Sequence, residues 1–236
     1  MLNENAASVL RDGLAAYGLT DGAAAEALGE YLERVLERNR VMNLTAITDP
    51  VEAVRLHLLD CAALVRQYDF AGKRVIDVGC GAGLPGMPVK LLVPSVSLTL
   101  LDATEKKIDF LRETASAMGL ADVTCTAKRA EEAAELRERF DAAVSRAVAP
   151  LNILAELCLP FVRVGGVFCA MKAKSAGEEL RAASRAIPTL GGRVRECAEY
   201  TIPGTDVTHC AVWIEKTAPT PSGYPRRYAK IKQKPL

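Results

Sequence analysis

Between Val75 and Gly86 the chain reads VIDVGCGAGLPG, an apolar run followed by glycines at 79, 81, 83 and 86. Glycine has no Cβ, so a turn of this composition lets backbone come close to a ligand. Which ligand depends on the flanking residues. A triphosphate loop would close on Gly-Lys and then Ser or Thr, and this one does not. GAGLPG, Gly81 to Gly86, fits the dinucleotide pattern G-x-G-x-x-G, which is a weak match by itself. Asp77 stands just before the first glycine, so D-x-G-x-G-x-G over Asp77, Gly79, Gly81 and Gly83 describes the stretch better. That form is the usual mark of S-adenosylmethionine binding, where the acid helps hold the ligand's amino-acid end and the loop backbone. Asp102 closes the next apolar run, LTLLD. A carboxylate there accepts hydrogen bonds from both ribose hydroxyls, and it serves NAD and S-adenosylmethionine alike. The purely structural alternatives are a turn cap for Asp77 and a helix N-cap for Asp102.

These residues need strand ends to carry them, and the pattern supplies the strands. From Lys73 onward, short β-rich runs alternate with helical ones. Strands are expected at Arg74–Val78, Ser97–Leu101, Val123–Thr126, Ala142–Ser145 and Gly166–Met171. Helices are expected near Gly86–Leu92, Lys106–Met118, Glu131–Arg137, Leu151–Leu159 and Glu178–Ala186. Such alternation means a parallel sheet with helices on both faces. Two later runs, Arg193–Tyr200 and Val207–Glu215, have no helix between them and read as an antiparallel pair at the sheet edge. The first seventy residues look helical. Ala24, Leu28, Tyr31, Leu32, Val35 and Leu36 recur at helical spacing over Ala23–Val41. After a turn at Asn43-Leu44-Thr45, Asp49 is placed to cap a helix that has Pro50 in its first turn and runs to about Tyr68. The expected division is a helical cap over 1–70, an α/β core over 71–218 and a basic tail over 219–236.

The 236 residues are half apolar and a quarter charged, as expected of a globular chain with a sizeable core. No apolar run reaches membrane-spanning length, and MLNENAASVLRDG lacks the pattern of a signal peptide, so the expected location is the cytoplasm. Seven scattered cysteines without a C-x-x-C pair read as reduced thiols, neither disulfides nor a zinc site. Net charge is only +1 and does not argue for or against nucleic acid. The tail after Pro219 is different: it carries Arg226, Arg227, Lys230, Lys232 and Lys234 and no acid, which makes it either a phosphate contact or a solvated terminus.

Several stretches together resemble one family. NRVMNLTAITDP (Asn39–Pro50), His57 and Asp60 in RLHLLDC, DVGCGAGLPGMP, LLDATEKKIDFLR and SRAVAP (Ser145–Pro150) occur in its order. The chain resembles, over nearly its whole length, the bacterial methyltransferases of 16S ribosomal RNA that act on guanine N7. The resemblance implies a Rossmann-like class I S-adenosylmethionine-dependent fold, with a seven-stranded, mostly parallel sheet, an antiparallel edge strand and an N-terminal helical cap. It also implies cofactor contacts at Gly79, Leu84, Asp102, Ala103, Ala130, Glu131 and Arg146. The implied partner is 16S ribosomal RNA or the 30S particle. A monomer without a metal ion or a membrane is expected. Cys80-Gly81-Ala82 departs from the family's commoner Thr-Gly-Pro or Ser-Gly-Ala.

The chemistry agrees with that reading. Guanine N7 carries an exposed lone pair and needs no deprotonation, so the protein mainly supplies geometry and electrostatics. Methylation at a pyrimidine carbon would want a cysteine nucleophile near the fourth strand, where Ser145-Arg146 stands instead. Methylation of an exocyclic amine is often marked by Asn/Asp-Pro-Pro-Tyr, also absent. Arg146 is the leading catalytic candidate, able to hold a phosphate or the O6 edge of guanine, or else to pair with a nearby acid. Arg129, Lys172, Arg226 and Arg227 are candidates for touching RNA. His57 and Asp60, at i, i+3, are expected to fix the cap to the sheet. Another substrate for the same fold, or a dinucleotide-binding oxidoreductase, are the competing readings.

Overall fold

A computed structural model describes residues 2–173 and 176–236 of the chain. Helix α1 (Glu4–Ala16) starts at Asn3, whose side chain accepts from the Ala6 N–H, and α2 (Gly22–Met42) starts at Asp21, which accepts from Ala23. Each cap satisfies an orphan donor of the first turn. α3 (Pro50–Ala53) begins as expected, with Asp49 accepting from Glu52. The helix then widens into one π turn, Val54–Leu59, before α4 (Asp60–Gln67). In that turn the Asp60 N–H bonds to the carbonyls of Arg55 and His57 and bypasses Leu56.

The α/β part follows as β1 (Arg74–Val78), α5 (Gly86–Leu92), β2 (Ser97–Asp102), α6 (Glu105–Ala117), β3 (Val123–Ala127) and β4 (Phe140–Arg146). It continues with α7 (Leu151–Cys158), β5 (Val162–Ala173), α8 (Ala176–Ala182), α9 (Ala186–Thr189), β6 (Gly192–Thr201), β7 (Thr208–Lys216) and α10 (Tyr228–Gln233). The seven strands form one sheet in the order β3-β2-β1-β4-β5-β7-β6. Strands β1 to β5 pair in parallel, whereas β7 runs antiparallel to both β5 and β6. Strand order reverses between β1 and β4, and in open α/β sheets the ligand crevice lies at such a point, beyond the carboxyl ends of the strands.

Alternation along β1 sorts its side chains between two cores. Val75 joins the core that also contains Leu10, Leu28, Tyr31 and Leu58 of the cap, while Ile76 and Val78 join the core under α7. The cap therefore shares its apolar core with one face of the sheet. Ile231 of the tail, fully buried, belongs to the other. Among the described residues no helix is long and apolar enough to cross a membrane.

Three expectations are corrected. The helix expected over Glu131–Arg137 is two 3-10 turns, Ala130–Glu132 and Ala134–Leu136. Its residues favour a helix, but tertiary contacts override propensity here: Ala133 is buried between the turns, and Glu131 accepts from the Tyr228 N–H. The helix expected over Glu178–Ala186 is broken into α8 and α9, because the chain must bend to bury Ala183, Ala186 and Ile187. Cys197 on β6 and Cys210 on β7 are joined by a disulfide, their Cα atoms 6.2 Å apart, while the other five cysteines are free. Only the hairpin register brings that pair together.

Candidate active site

The glycine loop leaves β1 and is tied to β2. The N–H groups of Gly79 and Cys80 both donate to the Leu101 carbonyl, and Gly81 donates to Asp102 Oδ2 at 3.0 Å. Gly79, Gly81 and Gly83 all have positive φ, which is costly for a residue with a Cβ. Their surroundings differ. A Cβ on Gly79 would fall 2.6 Å from Val148 Cγ2, and one on Gly83 would collide with Leu111, Met87 and the Tyr31 hydroxyl. Gly81 faces open space. From the cap, buried Tyr31 donates its hydroxyl to the Ala82 carbonyl at 2.6 Å and clamps the loop from below.

Asp77 lies under that loop, fully buried, with Oδ2 accepting from the Gly86 N–H at 2.8 Å. Oδ1 has no hydrogen-bond partner among the described residues. Burial pushes its carboxyl up to about 7, against the opposing pull of the Gly86 N–H and of the Arg146 charge. Its placement matches the loop-supporting half of the expectation. Asp102 is half-buried at the rim, with Oδ1 accepting from Thr104 N and Oδ2 from Gly81 N. Each oxygen keeps a second lone pair for a ligand.

Two cavities flank Val148 and share Gly79 and Asp102 as walls. The first, about 260 Å³, is lined by Ala103, Arg129, Ala130, Glu131 and Tyr228 among others. The second, about 340 Å³, is lined by Thr45, His57, Gly81, Leu84, Lys107 and Arg146. Most of the residues expected in the cofactor site thus meet in one bipartite crevice at the topological switch. Asp77 and Gly83 support it from beneath.

Arg146 ends β4 on the cap side. Its Nη1 donates to Asp60 Oδ2 and to the Leu56 carbonyl, both at 2.9 Å, and Nη2 lies 3.2 Å from His57 Nδ1. The π turn explains the second contact, since Asp60 leaves the Leu56 carbonyl available. Asp60 also accepts at Oδ1 from the Tyr200 hydroxyl and lies 2.8 Å from His209 Nδ1. Burial alone would raise the Asp60 carboxyl, but the His209 hydrogen bond and the Arg146 charge hold it below the usual range. The expectation that His57 and Asp60 fix the cap to the sheet is met, because this cluster joins the cap to β4, β6 and β7. His57 Nε2 reaches Thr45 Oγ1 at 2.8 Å. Burial and the Arg146 charge push its pKa down to about 4, so the imidazole is neutral at pH 7.

The remaining cations are distributed unevenly. Arg129 is exposed on the first cavity. Lys172 is not on the rim: its Nζ is held at 2.7 Å by both the Ala149 carbonyl and Glu179. Arg226 is also turned inward, its guanidinium bidentate on fully buried Glu156 at 2.8 and 2.6 Å. Arg227 is exposed beside Tyr228. Sequence reasoning overlooked Lys107, Val148 and Tyr228 as crevice residues and gave Thr45 no role there. Lys107, Thr45 and Val148 lie within stretches that carry the family resemblance, and Tyr228 lies in the tail YPRRYAKIKQKPL, which also resembles the family's C-terminal end but gives the ring no role.

Comparison with known proteins gives the family and the fold. The family model described as rRNA small subunit methyltransferase G matches residues 24–203. The ribosomal RNA small subunit methyltransferase G of Alkaliphilus metalliredigens is 43% identical over 233 residues, spanning 97% of this chain and 98% of its own. The Clostridium perfringens protein of the same name is 43% identical over 210 residues, 87% and 88% of the two chains. A SAM-dependent O-methyltransferase from Thermotoga maritima superposes with a TM-score of 0.53 at 16% identity, covering 80% of this chain and 73% of that one. At that identity the likeness speaks for the fold alone, the Rossmann-like class I arrangement.

Proposed function

The chain belongs to the rRNA small subunit methyltransferase G family, and from that premise we propose that it moves the methyl group of S-adenosyl-L-methionine to N7 of a guanine in 16S ribosomal RNA. The observation that carries this reading is the bipartite crevice: Gly79 and Asp102 border both halves, Ala103, Ala130 and Glu131 line the first, and Gly81, Leu84 and the Arg146 guanidinium line the second. The open space in front of Gly81 and the spare lone pairs of Asp102 suit a nucleoside with a bulky substituent. In this reading Asp102 takes the ribose hydroxyls, Ala103, Ala130 and Glu131 line the base, and Gly79, Gly81 and Leu84 border the methionine end. When bound, the cofactor supplies a methyl group already activated on a sulfonium.

The residues of the second cavity then have to orient rather than activate. Guanine N7 offers its lone pair at neutral pH, so no side chain needs to take a proton before attack. Arg146 stays cationic, and Asp60 and the Leu56 carbonyl fix its plane. The guanidinium lines the second cavity, and in this reading it holds O6 or a phosphate while N7 is left open. The reading keeps a monomer acting in the cytoplasm without a metal, as a sulfonium donor and a lone-pair acceptor require no Lewis acid.

The test is chemical mapping of 16S RNA. Borohydride and aniline cleave the strand at 7-methylguanine, and primer extension reads the break. Cells lacking the gene should lose one stop that the cloned gene restores. A deletion strain that keeps every stop would overturn the proposal. Labelled-methyl transfer to naked 16S RNA and to 30S particles then identifies the form of substrate.

A further inference from the structure

The sequence left the basic tail with two readings, a phosphate contact or a solvated end, and the structure supports a third. We infer that the C-terminal segment is a wall of the cofactor site, with the aromatic ring of Tyr228 as a binding residue for the adenine. The inference rests on the methyl-donor reading above and goes beyond it, since the tail lies outside the stretch, 24–203, that matches the family model.

Two independent observations carry it. The first is position. Tyr228 lines the same cavity as Asp102, Ala103 and Glu131, and its backbone N–H donates to Glu131 Oε1 at 3.1 Å. Tail and cofactor-facing turn are thus bonded directly. The second is the way the segment is fastened. Glu156 is fully buried on α7, and both its oxygens are taken by Arg226, through the backbone N–H at 2.9 Å and the guanidinium at 2.8 and 2.6 Å. Releasing the tail would strand that carboxylate without a countercharge. Arg137 donates to the carbonyls of Thr220, Pro221 and Tyr224, and Lys216 holds the Thr220 hydroxyl at 2.6 Å. Ile231 is buried one helical turn beyond Tyr228. A segment pinned at so many points presents Tyr228 at a fixed place. An aromatic face on the wall of a base-sized cavity gains by stacking on a purine.

Calorimetry with S-adenosylhomocysteine on the full chain tests this. Tyr228→Ala and Tyr228→Leu should weaken binding roughly tenfold or more, the range of one base–aromatic contact, and Tyr228→Phe should bind as the wild type does. In turnover assays the KM for the methyl donor should rise while kcat and the KM for RNA hold. Lys230→Ala, an exposed neighbour on α10, serves as the control and should leave the affinity for S-adenosylhomocysteine unchanged. Should Tyr228→Ala lose the fold of the tail, Tyr228→Leu keeps the apolar packing and removes only the aromatic face. Wild-type affinity in Tyr228→Leu, or a loss in Tyr228→Phe equal to that in Tyr228→Ala, would overturn the inference. A wild-type chain that ignores S-adenosylhomocysteine would instead bring down the methyl-donor reading itself.

Discussion

Asp77 shows how a carboxylate at a strand end can behave unlike a surface acid. It faces the cap-side core near the end of β1, fully buried, where the low-dielectric surroundings disfavour its charged form. With its folded pKa up at about 7, the native state holds a proton that the unfolded chain releases near pH 4. The sign follows from linkage: the stabilising contribution is complete below about pH 4 and is lost as pH rises to about 7. Asp77→Asn keeps an acceptor for the Gly86 N–H and removes the titration. Urea unfolding at about pH 5 and about pH 8 should therefore show a smaller drop for Asp77→Asn than for the wild type. Equal drops would mean that Asp77 is ionised throughout that range.

At the scale of elements, the crevice exists because helices and strands restrain a loop that has few side chains of its own. β2 takes its first two N–H groups through the Leu101 carbonyl, and α2 holds its centre through Tyr31. Tyr31 was legible as a helical core position, and its hydroxyl contact was not. Tyr31→Phe leaves the Ala82 carbonyl without this buried donor, a cost of about 1–3 kcal/mol. The expected outcome is a lower urea midpoint at unchanged slope, with weaker S-adenosylhomocysteine binding because the loop loosens. A variant that matches the wild type in both would show that the loop holds itself. The π turn is the other element-level device. It occupies a sequence that reads as plain helix, and its altered hydrogen bonding offers Leu56's carbonyl to Arg146.

Across the whole molecule, the shared core and the Asp60 cluster should make the cap and the sheet unfold as one body. Asp60 alone receives contacts from β4, β6 and β7. Removing it strands a guanidinium whose side chain is only 15% exposed, and breaking a buried pair in this way costs about 3–5 kcal/mol. Asp60→Ala should shift a single cooperative transition by that order, followed by fluorescence and by circular dichroism together. A shift within about 0.5 kcal/mol, the range of surface changes, would place the cap's attachment elsewhere. The boundaries of β1 and α5, the glycine loop, Asp102 and the cap helices were legible in the sequence, because each is written in local periodicity, capping residues or glycine placement. What only the tertiary structure decided are pairings between distant segments: Arg146 with Asp60, Arg226 with Glu156, Cys197 with Cys210, and Tyr228 with Glu131. Local sequence specifies where a chain can turn or wind, but a charge or a ring acquires its partner only when strand order and burial bring separate segments to the same few ångströms.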